Sequence, residues 1–204
     1  VGSEMCIRDR DPERIVFIPA MGWQDYNYIK YARVAGEDSN AVVSFHYYLP
    51  MLLSHYKMLA WVGYQGAVQY PGVVIPTQSD ADKYPQYASF HKTTYNADRI
   101  MGEMSNAASD GRNAGLAVHC GEFGCSKNVA EAMRLAWFTD MVAAMEANNI
   151  PWTLWECLDG GFGFVDMEYG IYRINCPLLK VLTGKELTDA EAKALLQKYG
   201  FKTE

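Results

Sequence analysis

The hydrophobic positions of this chain fall into four short apolar runs, separated by longer stretches of mixed character. The runs cover residues 14–18, 41–45, 116–120 and 152–155. Continuous apolar runs of this length are typical of strands that are covered on both faces, as in a parallel sheet. Four strands that alternate with helical patterns predict an α/β fold with a parallel sheet.

The stretches between the runs show the 3.6-residue spacing of amphipathic helices. This spacing predicts helices over residues 24–35, 89–110 and 128–149. Thr188 and Glu191 have the spacing of a capping box, which predicts the start of a final helix. The segment from residue 47 to 88 is rich in Tyr, Gly and Pro and has no such period. A loop of that size after a strand is usually functional.

Charge and composition limit the classes of ligand. The chain has 204 residues and a net charge of −6, which disfavours nucleic acid and anionic membranes and fits a neutral ligand. No apolar run approaches the roughly 20 residues of a membrane span. The 14 tyrosines and 5 tryptophans fit a sugar-binding cleft, and they fit a large aromatic core equally well.

The first ten residues, VGSEMCIRDR, have neither the apolar middle of a signal peptide nor a regular period. They match the in-frame translation of a transposase sequencing adapter. We therefore predict that residues 1–10 are a non-native segment and that residues 11–204 form the domain. The four remaining cysteines have no metal-binding spacing. They are Cys120, Cys125, Cys157 and Cys176.

Polar and aromatic residues follow each predicted strand where it ends. Glu122 ends the third run between Gly121 and Gly124. The other strand-end residues are Trp23, His46, Tyr48 and Trp155. In parallel α/β folds the carboxyl ends of the strands form the face on which active sites are built. Singly, Glu122 could instead cap the next helix, and His46 could be a hydrogen-bonded core histidine.

Four segments, in this order and spacing, resemble glycoside hydrolase family 5. They read VSFHYYLP from Val43, LSH ending at His55, VHCGEFG around Glu122, and WTLWE around Trp155, which is followed by GFG and Asp166. Members of this family are (β/α)8 barrels that cleave β-linked polysaccharides with retention of configuration. The resemblance covers residues 11–204 and implies the C-terminal half, about strands 5–8, of such a TIM barrel.

The resemblance also implies a role for each matched residue. Glu122 would be the catalytic nucleophile, and Tyr48 would donate a hydrogen bond to its carboxylate. His46 would bind substrate hydroxyls or support the hydrogen-bond network of the site. Trp155 and Trp23 would be platforms for sugar rings, and the His55 segment would contribute to substrate binding.

The second carboxyl group of a retaining glycosidase is expected in an Asn-Glu pair on an earlier strand. No Asn-Glu dipeptide is present in the sequence. We therefore expect a fragment that carries the nucleophile and lacks the acid/base half. The retaining reaction needs two carboxyl groups and water, so neither a metal nor an organic cofactor is expected.

The family further implies a β-linked polysaccharide as the partner, a monomeric parent enzyme, and an extracellular or periplasmic location. An endo-β-1,4-glucanase of the cellulase type is the leading interpretation. A β-mannanase or an exo-β-glucosidase on the same barrel is an alternative. A non-catalytic carbohydrate-binding half-barrel is a further one, and it would not need Glu122.

We predict that the isolated 204-residue chain has no hydrolytic activity, because it lacks the acid that protonates the leaving oxygen. We also expect poor stability or self-association, since four parallel strands leave two open edges. Assays on carboxymethylcellulose and mannan test the first expectation, and substantial turnover would contradict it. A compact monomer in light scattering and calorimetry would contradict the second.

Overall fold

The computed structural model describes residues 6–34, 38–58, 63–158 and 160–204. The backbone divides into two compact units. The first, which we call the sheet unit, comprises Val1–Tyr47, Met101–Phe123 and Ala144–Thr153. The second, which we call the hairpin unit, comprises Tyr48–Ile100, Gly124–Ala143 and Leu154–Glu204.

The strands and helices alternate along most of the chain. The strands are β1 Val16–Pro19, β2 Ala41–Tyr47, β3 Gly72–Val73, β4 Thr94–Tyr95, β5 Ala117–Phe123, β6 Trp152–Leu154, β7 Val165–Glu168 and β8 Ile171–Ile174. The α-helices are α1 Met21–Gln24, α2 Met51–Ser54, α3 Gln78–Lys83, α4 Ala97–Ala114, α5 Glu131–Ala147, α6 Cys176–Thr183 and α7 Asp189–Lys198. Two 3₁₀ helices cover Tyr26–Tyr31 and Pro85–Lys92.

A four-stranded sheet in the order β1-β2-β5-β6 is the centre of the fold. β1 pairs with β2 in parallel, and β2 pairs with β5 in parallel. These four strands are the four apolar runs, shifted by a few residues at their ends. The predicted α/β fold with a parallel sheet is therefore confirmed.

One face of the sheet is buried and the other is largely open. On β2, Val43, Phe45 and Tyr47 are at most 1% exposed, and the Tyr47 hydroxyl donates to Glu103 of α4. The opposite face, which we call the open face, carries Phe17, His46 and His119, and Phe17 is 55% exposed. The expectation that these strands are covered on both faces is wrong for this face in the part of the chain that the structure describes.

Two predicted helices are replaced by shorter elements. Over residues 24–35 the chain instead forms the 3₁₀ helix Tyr26–Tyr31, because the Asp25 carboxylate accepts a hydrogen bond from the Asn27 N–H and starts a tighter turn. Over residues 89–110 the helix begins late. The Asn96 side chain caps it by accepting from the Arg99 N–H, and the preceding β-branched pair Thr93-Thr94 is extended.

Two regions contain structure beyond the predicted elements. The predicted loop after β2 contains α2, β3, α3 and a 3₁₀ helix, although residues 59–62 lie outside the described chain. β7 and β8 form an antiparallel hairpin that no hydrophobic run indicated. The capping box at Thr188 is confirmed as the start of α7. Within the described residues, no helix is long and apolar enough to cross a bilayer.

Candidate active site

The register of β5 against β2 shifts where the predicted carboxylate lies. The two strands pair regularly up to Phe45 and Cys120, and the next pair joins His46 to Glu122. Gly121 is therefore an extra residue on β5, which is the definition of a β-bulge. Bulges occur next to active sites, where they re-aim a side chain.

This bulge decides which face of the sheet carries the carboxylate. In a regular strand successive side chains alternate, so Glu122 would share the buried face with Cys120. Instead Cys120 and Phe123 are both completely buried, while Gly121 and Glu122 are partly exposed. The bulge thus places Glu122 in register with His46, on the open face.

The residue at the bulge is a glycine because the neighbouring strand leaves no room for a side chain. A Cβ atom at Gly121 would lie 2.5 Å from the Ser44 Oγ and 3.6 Å from two atoms of the His46 ring. The first distance is shorter than any contact that a real Cβ makes. The Cys120 thiol also donates to the Glu122 carbonyl oxygen at 3.3 Å, which braces the backbone around the bulge.

His46 and Glu122 form a close pair on the open face. The His46 Nδ1 lies 3.3 Å from the Glu122 Oε2, and the two side chains remain 21% and 27% exposed. Burial lowers the pKa of His46 below its ordinary value, and the Glu122 carboxylate opposes that shift by favouring the charged imidazole. The structure therefore provides an accessible carboxylate beside an imidazole, which suits a nucleophile or a general base.

His119 lies one step back along β5 on the same open face, and sequence analysis did not select it. Its Nε2 is 3.2 Å from the Thr153 hydroxyl, and its ring contacts Phe17 edge-on with centroids 5.1 Å apart. Among the described residues its buried Nδ1 has no hydrogen-bond partner, and burial lowers its pKa. Side chains alternate along a strand, and this alternation along β5 could have placed His119 on the open face from the sequence alone.

Trp23 is also in the sheet unit, after β1. Its side chain is 98% exposed. Gly22, Trp23 and Gln24 all have φ near +60°, a left-handed conformation that is uncommon for bulky residues. These left-handed residues interrupt α1 and leave the indole exposed to solvent.

The hairpin unit holds a separate cluster of the predicted residues. Tyr48 and His55 lie with ring centroids 4.9 Å apart, and Phe162 packs against both at 5.9 and 5.2 Å. The His55 Nδ1 is 2.9 Å from the Ser54 hydroxyl, which in turn donates to the Tyr48 carbonyl. Burial lowers the pKa of His55. Phe162 belongs to the GFG segment but was not selected as a site residue.

A buried arginine fixes the loop that carries Phe162. The Arg134 guanidinium is 4% exposed and donates to the carbonyl oxygens of Cys125, Phe162 and Gly163. These contacts tie the residues after β5 to the loop after β6 within the hairpin unit. Three charge-assisted hydrogen bonds compensate the cost of burying the cation.

Trp155 follows β6 and is 47% exposed, as a platform for a ligand requires. Its carbonyl oxygen packs so closely on Gly124 that a Cβ there would lie 2.4 Å away. The structure thus brings together His46 with Glu122, and Tyr48 with His55. The hydrogen bond from Tyr48 to Glu122 stays a prediction, because these residues belong to different units. No group of three metal-ligating side chains lies close enough to hold an ion within the described ranges.

The chain is similar to one family of known proteins. The family model described as cellulase, glycosyl hydrolase family 5, matches residues 5–161. Endoglucanase C of Acetivibrio thermocellus is 22% identical over 175 residues, which cover 82% of this chain and 48% of that protein. The chain spans about half the length of the curated relative.

Solved structures share the fold. An endoglucanase matches with a TM-score of 0.67 and 21% identity, over 89% of this chain and 52% of that one. The cellulose synthase subunit Z of Clostridioides difficile matches with a TM-score of 0.67 and 22% identity, over 89% and 53%. At this level of identity the likeness establishes the architecture of the chain.

We predict that Glu122→Gln lowers the pKa of His46 further, because the substitution removes the negative charge that favours the protonated imidazole. An NMR titration of the His46 ring measures the shift. Glu146→Gln is the matched control, since Glu146 is an exposed carboxylate on α5. A His46 pKa that stays constant or rises in Glu122→Gln would contradict the pairing.

Proposed function

Because the chain belongs to glycosyl hydrolase family 5, the cellulase family, we propose that it is the C-terminal half of a retaining β-1,4-glucanase barrel. The observation that carries the proposal is the Glu122 carboxylate beside His46 on the open face, at 3.3 Å. The relatives named endoglucanase support a β-linked glucan as substrate. The chain spans about half the length of those relatives, which supports the assignment to one half of the barrel.

Glu122 acts as the nucleophile in this proposal. Its carboxylate attacks the anomeric carbon of the sugar, the bond to the leaving oxygen breaks, and a glycosyl ester forms on Glu122. Water then hydrolyses the ester and returns the free carboxylate. The bulge at Gly121 keeps the carboxylate on the open face, and the absence of a side chain there allows the Ser44 Oγ to lie close to the β5 backbone.

His46 positions the nucleophile. Because burial lowers its pKa, the imidazole is largely neutral near pH 7. A neutral imidazole beside the carboxylate orients Glu122 by a hydrogen bond and does not neutralise the charge that attacks. The resemblance to the family further predicts a hydrogen bond from Tyr48 to this carboxylate.

The exposed aromatic residues bind the polysaccharide. Trp155 and Trp23 offer flat apolar surfaces to the C–H faces of glucose rings, and His55 contributes polar contacts through its cluster with Tyr48. The parent enzyme is a monomer that acts outside the cytoplasm, where polymeric glucan is found. The chain alone does not hydrolyse unactivated glucan, because the Asn-Glu acid is absent from its sequence.

A mechanism-based label tests the nucleophile without the missing acid. In 2,4-dinitrophenyl 2-deoxy-2-fluoro-β-cellobioside the leaving group departs as a stable phenolate with the electron pair of the broken bond, so no proton donor is needed. We expect Glu122 to form an ester with the sugar, detected as a mass increase on its peptide. The fluorine slows hydrolysis of this ester, so the adduct accumulates.

Two variants serve as controls for the labelling. Glu122→Gln should abolish the adduct, whereas Glu156→Gln removes the carboxylate next to Trp155 and should leave it unchanged. Labelling of a different carboxylate would contradict the assigned role of Glu122. Binding of cellohexaose without any adduct would favour the non-catalytic carbohydrate-binding alternative.

A further inference from the structure

The tip of the β7–β8 hairpin presents an aromatic side chain in an unusual backbone conformation. Tyr169 has φ of +51°, and Gly170 after it has φ of +76°. Two consecutive positive φ values between paired strands are the signature of a type I′ turn. The first position of that turn favours Asn, Asp or Gly, so a tyrosine there is an exception.

Packing does not explain the tyrosine. Its side chain is 94% exposed, so the ring contributes almost nothing to a core. A non-glycine residue in the left-handed region carries a conformational cost, and such residues cluster at ligand-binding sites. The strained and fully exposed ring therefore points to a role outside the fold itself.

The ring borders a cleft of about 380 Å³ in the hairpin unit. The other lining residues are Asp166, Glu168, Ile171, Arg173 and Glu204. One aromatic face beside several charged side chains is the typical composition of a subsite for a sugar, in which the ring supports the C–H face and the polar groups bind hydroxyls.

Ion pairs connect the charged side chains of the cleft to one another and to Lys127. Lys127 forms an ion pair with Asp166 at 2.9 Å and also donates to the Val165 carbonyl at 2.7 Å. Arg173 forms an ion pair with Glu204.

The C-terminal segment packs against the hairpin at the same cleft. The Tyr172 N–H donates to the Lys202 carbonyl at 2.8 Å, and the rings of Tyr172 and Phe201 lie with centroids 4.9 Å apart. Phe201 and Lys202 thus contact strand β8, and Glu204 lies at the cleft. Three carboxylates and one guanidinium line the site, a balance that disfavours anionic ligands.

We propose that Tyr169 and this cleft, within the hairpin unit, form an accessory binding site for a neutral β-linked glucan chain. The class of glycan rests on the proposed function, whereas the existence of a sugar site rests on the exposed ring and the polar cleft. Such a site would hold a polymer chain near the enzyme by increasing its local concentration.

Titration with cellohexaose, followed by NMR of the amides of residues 165–174, tests the site. We expect the signals of these amides to shift on binding. We expect Tyr169→Asn to raise the dissociation constant obtained from these shifts at least tenfold. Asn suits the turn, so the variant should melt at the same or a higher temperature, which excludes unfolding as the cause. Tyr169→Trp should retain binding.

Tyr199→Asn is the matched control, because Tyr199 is 69% exposed in the same unit and does not line the cleft. Its hairpin amides should respond as in the wild type. The proposal would be overturned if the hairpin amide signals did not shift with cellohexaose. It would also be overturned if Tyr169→Asn bound cellohexaose with the wild-type dissociation constant. Failure to label Glu122 would contradict the catalytic proposal alone, since this titration requires no reaction.

Discussion

The close approach of Gly121 to Ser44 is the constraint on which the candidate active site depends. Strand β5 has one residue more than its register with β2 allows, and that residue fits only because it has no side chain. The extra residue transfers Glu122 from the buried face to the open face. Without it, a carboxylate would point toward the apolar side of the sheet, where burial of an unpaired charge is costly.

Electrostatics and accessibility follow from this placement. On the open face Glu122 lies beside His46, and its negative charge opposes the lowering of the His46 pKa by burial. Both remain partly exposed, so a ligand can reach them. The glycine makes the bulge possible because the Ser44 Oγ lies 2.5 Å from the position that a Cβ atom would take. Gly121 therefore determines the face of the sheet on which Glu122 lies, its pairing with His46 and its exposure.

Local patterns in the sequence predicted the fold well where packing obeys a simple period. The four apolar runs became the four strands of the sheet, and Thr188 with Glu191 marked the start of α7 as a capping box does. Helices were mispredicted where a side chain gave the backbone another partner, as Asp25 and Asn96 do. The β7–β8 hairpin was not predicted because each strand has only four residues and contains a charged residue, so neither forms a hydrophobic run.

The site was predictable in part for the same reason. The strand-end rule selected Glu122, His46, Tyr48 and Trp155 as candidates, and the structure places His46 beside Glu122. The bulge was not predictable, because a flanking glycine in the sequence does not specify register. His119 and Phe162 were missed because they look like ordinary strand and loop residues until their neighbours are known. Tyr169 was not selected because its positive φ is a property of the backbone that the sequence does not reveal.

The His46 pKa in Gly121→Ala, measured by NMR titration and compared with the double variant Gly121→Ala/Ser44→Ala, tests the central claim most directly. The added methyl group collides with the Ser44 Oγ, so Glu122 should turn away and the His46 pKa should fall. Removal of that oxygen leaves only contacts of 3.6 Å, so the double variant should regain the wild-type pKa. An unchanged pKa in Gly121→Ala, or no recovery in the double variant, would contradict the account.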